Sequence, residues 1–531
     1  MQKIFNPLFV AIAAICGILA GSIITERHNE RITRTHKKLD NKIDMMLNLV
    51  NLQYVDKVDI DSLVEKSLPK ILEELDPHTV YVPAKDLQMV NDELEGSFSG
   101  IGVQFNIQND TVMIVSVISG GPSEKLGILP GDRIVKVNDT LFVGETINNE
   151  KVMHKLRGPK GTHVTLGIKR HSANSLLTFD ITRGDVPVNS VDAHFMMQNH
   201  IGYIKVGKFG ANTYNEFLYA LEGLKEKGAN KFIIDLRGNS GGLLDAACYM
   251  INEFLHRGDM IVYTEGKAQK RQDIKADGNG LYQNYPITVL IDEWSASASE
   301  IFAGAMQDND RGTIIGRRSF GKGLVQQQIT LNDSSAIRLT VARYYTPSGR
   351  CIQKPYRDKN KYQQEVFDRY SSGEIYNQDS MKSTSDTVKY YTVGNRVVYG
   401  GGGIMPDIFV PYDTTYNSVY YTKLVNSSIL YDFAFKYSDE HRQLFNSFEN
   451  YKKADEYLKR EPLFDQVLEF AEAKNIKKNL LQAEHSKSKI TQLVRSYILR
   501  NIYGENAFYD VFYEDDPVVK EALKMLKKDS K

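Results

Sequence analysis

Between residues 200 and 350 the chain alternates two kinds of apolar spacing, and this alternation restricts the fold more than any other feature. IGYIKVGKF, KFIIDLRG, ITVLIDE and GTIIGR are short β-branched runs. Between them stand YNEFLYALEGLKEKG, LLDAACYMINEFLHRG and SASEIFAGAMQD, each with apolar residues at helical spacing. A strand that is apolar throughout has both faces covered, and the intervening helices are the natural cover. The expectation is an α/β core with mostly parallel strands.

The flanks differ. Residues 29–95 carry Ile43, Met46, Leu47, Val50, Leu63, Leu68 and Ile71 at helical spacing, which predicts a helical N-terminal region. Residues 96–183 are rich in glycine and short β runs, which predicts a separate β-rich domain. The core is expected over 184–413, with a polar, Tyr-rich insertion or mobile loop at 354–398. Residues 414–531 read as a helical extension. At roughly 150 residues per domain, 531 residues accommodate three or four such units.

Composition excludes more than it identifies. The 66 Lys+Arg residues balance 66 Asp+Glu, which argues against a nucleic-acid partner. Three cysteines with no CxxC rule out a disulfide-stapled scaffold, and no metal-ligand spacing is present. Ile4 to Ile24 reads IFNPLFVAIAAICGILAGSII without a charge, long enough at 1.5 Å per residue to cross a hydrocarbon core of about 30 Å. Residues 1–28 are therefore read as a membrane anchor or a signal segment cleaved near Ala20-Gly21-Ser22. Arg27, Arg31, Arg34, Lys37 and Lys38 follow the span, so flanking charge does not set its orientation.

The β-rich region resembles a PDZ domain. The resemblance rests on SGIGVQF, GGPSEKLGILPGDRIVKVND and KLRGPKGTHVTLGIKR. In such a domain the loop Gly100-Ile101-Gly102-Val103 would aim backbone amides at a terminal carboxylate, and the next strand would add the peptide at its edge. Arg157 is a candidate to sense the bound tail or to pair with a group of the protease domain, or it is an ordinary solvated arginine.

Two serines compete as nucleophile. Ser240 sits in GNSGG, which in isolation resembles the trypsin-like motif. It follows a buried strand and precedes a helix, and neither His194 nor His200 lies in a recognisable catalytic motif. Ser297, in WSASASEIFAGAM, stands where a strand turns into a helix, between the small residues Ala296 and Ala298. The Ala298 amide at that helix start is suited to a developing oxyanion. Downstream, SFGKGLVQQQ supplies Lys322 and then Gln326. A lysine works as a base once desolvation lowers its pKa, and a glutamine can hold its amine without adding charge.

Taken together, the PDZ signatures, DLRGNSGGLL, SASASEIFAGA, FGKGLVQ and YYTPSGRCIQ with GGIMPD resemble the carboxyl-terminal processing proteases, over about residues 35–411. The resemblance implies a Clp protease/crotonase-like spiral core of ββα units and a serine endopeptidase that cleaves proteins near their C-termini. It implies Ser297 as nucleophile, Lys322 as general base, Gln326 as its orienting residue, and Gly241 or Gly242 with Ala298 as the oxyanion hole. No metal or organic cofactor is implied. The expected partners are protein or peptide substrates with free C-termini, the bacterial inner membrane through residues 4–24, and a second copy through the helical lead. The expected location is the periplasmic face of that membrane, or the exported space after cleavage. Trp294, the only tryptophan, stands where the family commonly has a small residue. The 415–531 extension lies outside the family pattern, and regulation, dimerisation or binding of an adaptor protein are its open roles.

Overall fold

The structure is a computed structural model that describes residues 42–108, 110–380 and 388–528. The apolar stretch at 4–24 lies outside the described residues, and no described helix is long and apolar enough to cross a membrane. Two units divide the chain after Leu75. The described part of the first consists of helices Lys42–Gln53 and Ile60–Glu73. Asp59 caps the second by accepting from Ser62 N–H at 3.2 Å.

The second unit contains everything from Asp76 onward. Its centre is a six-stranded sheet in the order Val191–Met196, Ile201–Val206, Lys231–Asp235, Ile287–Ile291, Thr313–Gly316, Ile408–Phe409. The first pair is antiparallel and the others are parallel. Ile233, Ile234, Val289, Leu290 and Ile315 have no exposed surface. Such strands need cover on both faces. Helices Thr213–Glu226, Leu244–Asn252 and Ala298–Asp308 share the core cluster on one face, with Phe217, Met250 and Phe302 at its centre.

The other face is covered from an unexpected place. Helix Pro517–Lys528, near the end of the chain, buries Val518, Val519, Ala522 and Leu526 against Phe195, Tyr203, Ile233 and Leu290. The preceding helix Glu505–Phe512 is tied to the sheet edge, where His194 N–H donates to Asn506 Oδ1 at 2.8 Å. The C-terminal helices are thus partly a wall of the core. The rest of that region packs around helix Lys487–Tyr503, through Ile490, Val494 and Ile498.

A second sheet carries the lysine-bearing loop. Val80–Val82, Ala336–Tyr345, Met260–Glu265 and Gln272–Lys275 are neighbours in that order, and Leu324–Thr330 also pairs with Ala336–Tyr345. Residues 76–95, expected as part of the helical lead, instead place a strand in this sheet before helix Ala84–Glu95. The β-rich domain has strands Val103–Gln108, Thr111–Val117, Arg133–Val137, His163–Lys169 and Leu177–Thr182 as antiparallel neighbours, around Ile114, Ile134, Leu166 and Val152.

The polar insertion is not the loop its composition suggests. Helix Lys359–Ser371 runs through it, and Lys389–Tyr391 pairs with Val397–Tyr399. Its charges are matched one against another. Glu365 accepts from Arg318, Lys354 and Arg369, and Arg369 also donates to the carbonyls of Arg318 and Ser319. A polar sequence can be buried when each charge has a partner, which hydropathy alone does not reveal.

Leu526 is 1% exposed under the sheet. Leu526→Ala is expected to lower unfolding stability by about 3 kcal/mol, the cost of a cavity in a packed core. Denaturant unfolding measures it, and an unchanged midpoint would show that the C-terminal helix is not part of the core.

Candidate active site

Strand Ile287–Ile291 ends in a tight elbow that places Ser297 at the start of helix Ala298–Asp308. Ser297 has φ 56° and ψ −114°, a strained conformation for a residue with a side chain. The surrounding bonds hold it there. Ser295 Oγ donates to Leu236 O at 2.9 Å, Ala296 N–H to Asn239 O at 3.0 Å, and Ser299 Oγ to the same carbonyl at 2.8 Å. The elbow is therefore stitched to the loop Arg237–Gly242.

That loop needs its glycines. A Cβ on Gly241 would lie 2.7 Å from Ser297 Cβ and 2.8 Å from Ala296 O. Gly241 and Gly242 have φ of 103° and 144°. The structure thus brings Gly241, Gly242, Ser297 and Ala298 together. It also separates the two glycine amides. Gly241 N–H donates to Asn239 Oδ1 at 2.9 Å, so it is already engaged. The Gly242 and Ala298 amides make no hydrogen bond among the described residues. The expected choice between the glycines falls on Gly242 as the available donor. Ser240 is exposed on this loop, while His194 bonds through its backbone to Asn506 and His200 Nδ1 meets Gly228 O at 3.2 Å. No trypsin-like triad is assembled.

Glu300 joins the elbow to the lysine. It is fully buried, and its carboxylate accepts from Ser297 N–H at 2.9 Å, Lys322 N–H at 2.8 Å, Gly321 N–H at 2.7 Å and Ser319 Oγ at 2.5 Å. Burial pushes its carboxyl above the ordinary range, and these four donors pull it back. Lys322 itself is half-buried, with no ion pair among the described residues. Burial lowers its pKa, against the pull of Glu300 and Asp76. Ser297, Lys322 and Gln326 make no mutual hydrogen bond among the described residues.

Gln326 lies in strand Leu324–Thr330 and is oriented from behind. Asp76 accepts from His78 N–H at 2.8 Å, Thr79 N–H at 2.9 Å, Thr79 Oγ1 at 2.6 Å and Thr340 Oγ1 at 3.1 Å. Having given its proton to Asp76, the Thr340 hydroxyl can only accept from Gln326, whose Nε2 lies 3.2 Å away. That leaves Gln326 Oε1 as the end able to accept from a lysine amine. His78 stands beside this group with Nε2 2.6 Å from Tyr362 OH. Burial and then Lys322 lower its pKa to about 4, so it is a neutral neighbour.

Sequence reasoning missed Glu300, Asp76, Thr340 and His78. Glu300 had a signal, because Ser297 and Glu300 have the spacing of a helix-start capping box. Asp76-Pro77 read only as turn punctuation, and Thr340 is an unremarkable strand residue. Another unforeseen contact lies below the oxyanion loop. Arg237 Nη1 donates to both oxygens of Asp516, at 3.0 and 2.9 Å, while its other nitrogens reach Asp235. Burial opposes the charge of Asp235, yet Arg237 and Lys205 hold its pKa at about 2.

In the β-rich domain, Gly100 pairs with Gly184, Ile101 is buried, Gly102 has φ 81°, and Val103 begins an edge strand with a partner on one side only. Arg157 meets Asp92 at 3.4 Å and stacks over Phe98 at 4.1 Å.

These features define a PDZ-bearing serine peptidase. The Peptidase family S41 profile matches residues 200–358, the PDZ domain profile residues 99–182, and that of a family of unknown function, DUF8443, residues 420–504. The carboxy-terminal-processing protease of Bartonella bacilliformis is 38% identical over 359 residues, covering 66% of this chain and 80% of that protein. Carboxy-terminal processing protease CtpB of Bacillus subtilis is 34% identical, over 60% of this chain and 66% of its own. A solved photosystem II D1 C-terminal processing protease is 26% identical and covers 69% of this chain and 91% of its own, at a TM-score of 0.35. The chain belongs to the carboxy-terminal processing proteases of peptidase family S41.

Thr340→Val, which keeps the shape and removes the hydroxyl, is expected to lower kcat roughly tenfold, about the value of one hydrogen bond. KM should stay within about twofold, and Thr340→Ser should restore activity. Steady-state kinetics on a peptide substrate checks this, and full activity in the valine variant would remove the orienting chain.

Proposed function

We propose that this serine-type C-terminal processing peptidase works through Ser297 and Lys322, with Gln326 orienting the lysine. The observation that carries the reading is the Glu300 carboxylate, which holds the backbone of Ser297 and of Lys322 on one buried group. Lys322 Nζ takes the Ser297 Oγ proton as Oγ attacks the scissile carbonyl carbon. The amides of Ala298 and Gly242 stabilise the oxyanion. The C–N bond breaks, the proton passes from Lys322 to the leaving amine, and an acyl-enzyme ester remains. Water then attacks the ester, gives its proton to Lys322, and Ser297 is restored. The PDZ domain binds the substrate's C-terminal end through the loop at Gly100–Val103, adding it to the free edge of strand Val103–Gln108.

The apolar stretch at 4–24 supports a place at the outer face of a bacterial inner membrane, with the catalytic body in the periplasm. Met45, Met46, Leu49 and Leu52, exposed on the first lead helix, support pairing of two copies.

Ser297→Ala and Lys322→Ala are each expected to abolish cleavage of a C-terminally tagged unfolded protein, followed by gel analysis. Activity surviving Ser297→Ala would sink the mechanism. Ser240→Ala should retain activity within a few-fold, and its complete loss in a folded protein would return the nucleophile to Ser240.

The pH dependence follows from burial of Lys322. Only the neutral amine is a base, so kcat/KM should rise as pH passes upward through the lysine's pKa. Since burial lowers that pKa, the rise should come below the ordinary lysine value of about 10.4. A limb at or above that value contradicts the assignment.

A further inference from the structure

The edge strand Val103–Gln108 and the residues Met153 and Leu156 of helix Asn149–Leu156 face a cavity of about 1200 Å³. Its opposite wall comes from the C-terminal helices and includes Arg442 and Arg500. Both arginines are incompletely satisfied. Arg500 Nε and Nη2 are buried with no hydrogen-bond partner. Its guanidinium is held by aromatic rings instead, 5.0 Å from the centre of Phe508, 5.4 Å from Tyr497 and 5.6 Å from Tyr431. Rings fix its orientation and exclude water, but they supply no counter-ion. Arg442 Nε is also buried without a hydrogen bond among the described residues, and Arg442 pairs with Asp439 at 4.0 Å.

Among the described residues, no carboxylate of the cavity forms a close ion pair with Arg500. Glu124 is occupied by Gly120 N–H at 2.8 Å. Asp192 and Glu505 form no ion pair with either arginine among the described residues; burial shifts both carboxyls upward, and the Arg500 charge only partly offsets that shift at Glu505. On the PDZ side, Arg157 is taken by Asp92 and Phe98. Lys208 of the core also lines the cavity and acts on Asp192, while the two arginines come from the C-terminal region. A guanidinium fixed by packing and without a close ion pair is suited to charge-assisted recognition of a carboxylate.

We propose that Arg500, with Arg442, forms a specificity site for an acidic side chain near the C-terminus of the tail held in the PDZ groove. This rests on the reading of that groove as the tail-binding site. The C-terminal helices then complete the substrate site, and the enzyme favours substrates that end in acidic segments.

The test uses the full-length Ser297→Ala protein and three fluorescent decapeptides, read by anisotropy. The first has an aspartate within its last four residues and a free carboxylate. The second replaces that aspartate with asparagine. The third keeps the aspartate and is amidated at its end. The first should bind at least about tenfold more tightly than the second, the worth of one charge-assisted hydrogen bond. Arg500→Met should reduce this preference to within about twofold without weakening the asparagine peptide. Arg500→Lys, which keeps the charge, should retain part of the preference, and unchanged melting temperatures would exclude misfolding. Equal binding of the first two peptides, with amidation weakening both variants of the protein, overturns the acidic site alone. A preference that survives both Arg500→Met and Arg442→Met does the same. Failure of all three peptides to bind overturns the tail-binding reading and this proposal with it.

Discussion

The Glu300 carboxylate is the contact on which the catalytic geometry depends. A buried carboxylate is costly unless its oxygens are hydrogen-bonded. Here they accept four donors from two chain segments, the Ser297 elbow and the turn Ser319–Lys322. Losing any one donor would leave a buried charge under-satisfied, so the two segments are held in register. The same interaction accounts for the glycine run near residue 400. Ser319 Oγ, which donates to Glu300, accepts from Ile404 N–H at 2.6 Å, and a Cβ on Gly403 would come within 2.6 Å of Ser319 O. The GGIMPD motif is thus packed beneath the lysine turn.

A second constraint comes from the far end of the chain. Asp516 caps helix Pro517–Lys528 by accepting from Val519 N–H at 2.9 Å, and it also grips Arg237. The helix that covers the sheet and Arg237, at the start of the glycine loop, therefore share one carboxylate. The C-terminal bundle also touches the PDZ domain. Arg133 pairs with Asp432 at 3.1 Å, Ser172 N–H donates to Asp439 at 3.0 Å, and Gly131 lies so close to Phe435 that a Cβ there would sit 3.1 Å away. One region thereby contacts both the tail-binding domain and the catalytic core.

The α/β core was legible because its signal is local. Apolar runs such as FIID and ITVLI are recognisable without knowing what they pack against. The candidate serine and lysine, Ser297 and Lys322, stood out through the family's motifs. The orienting and anchoring groups were less so. Thr340 matters only because strand Ala336–Tyr345 lies between Gln326 and Asp76, a pairing no local pattern encodes. The helix at 359–371 was missed because its apolar content is low and its burial depends on charge partners elsewhere, Arg318 and Lys354.

The sequence by itself determined the kind of protein: strand–helix alternation, a glycine-rich PDZ segment, and Ser297, Lys322 and Gln326 in a peptidase pattern. Those properties reside in residue type and spacing along the chain. Only the tertiary structure decided which glycine amide is available, which charges hold Ser297 and Lys322 together, and that the C-terminal helices wall the core and the tail-binding cavity. Hydrogen bonds and burial between distant segments settle such questions. Gly241 loses its donor to Asn239, Arg237 finds Asp516, and Arg500 Nε and Nη2 are left among aromatic rings without a hydrogen bond among the described residues.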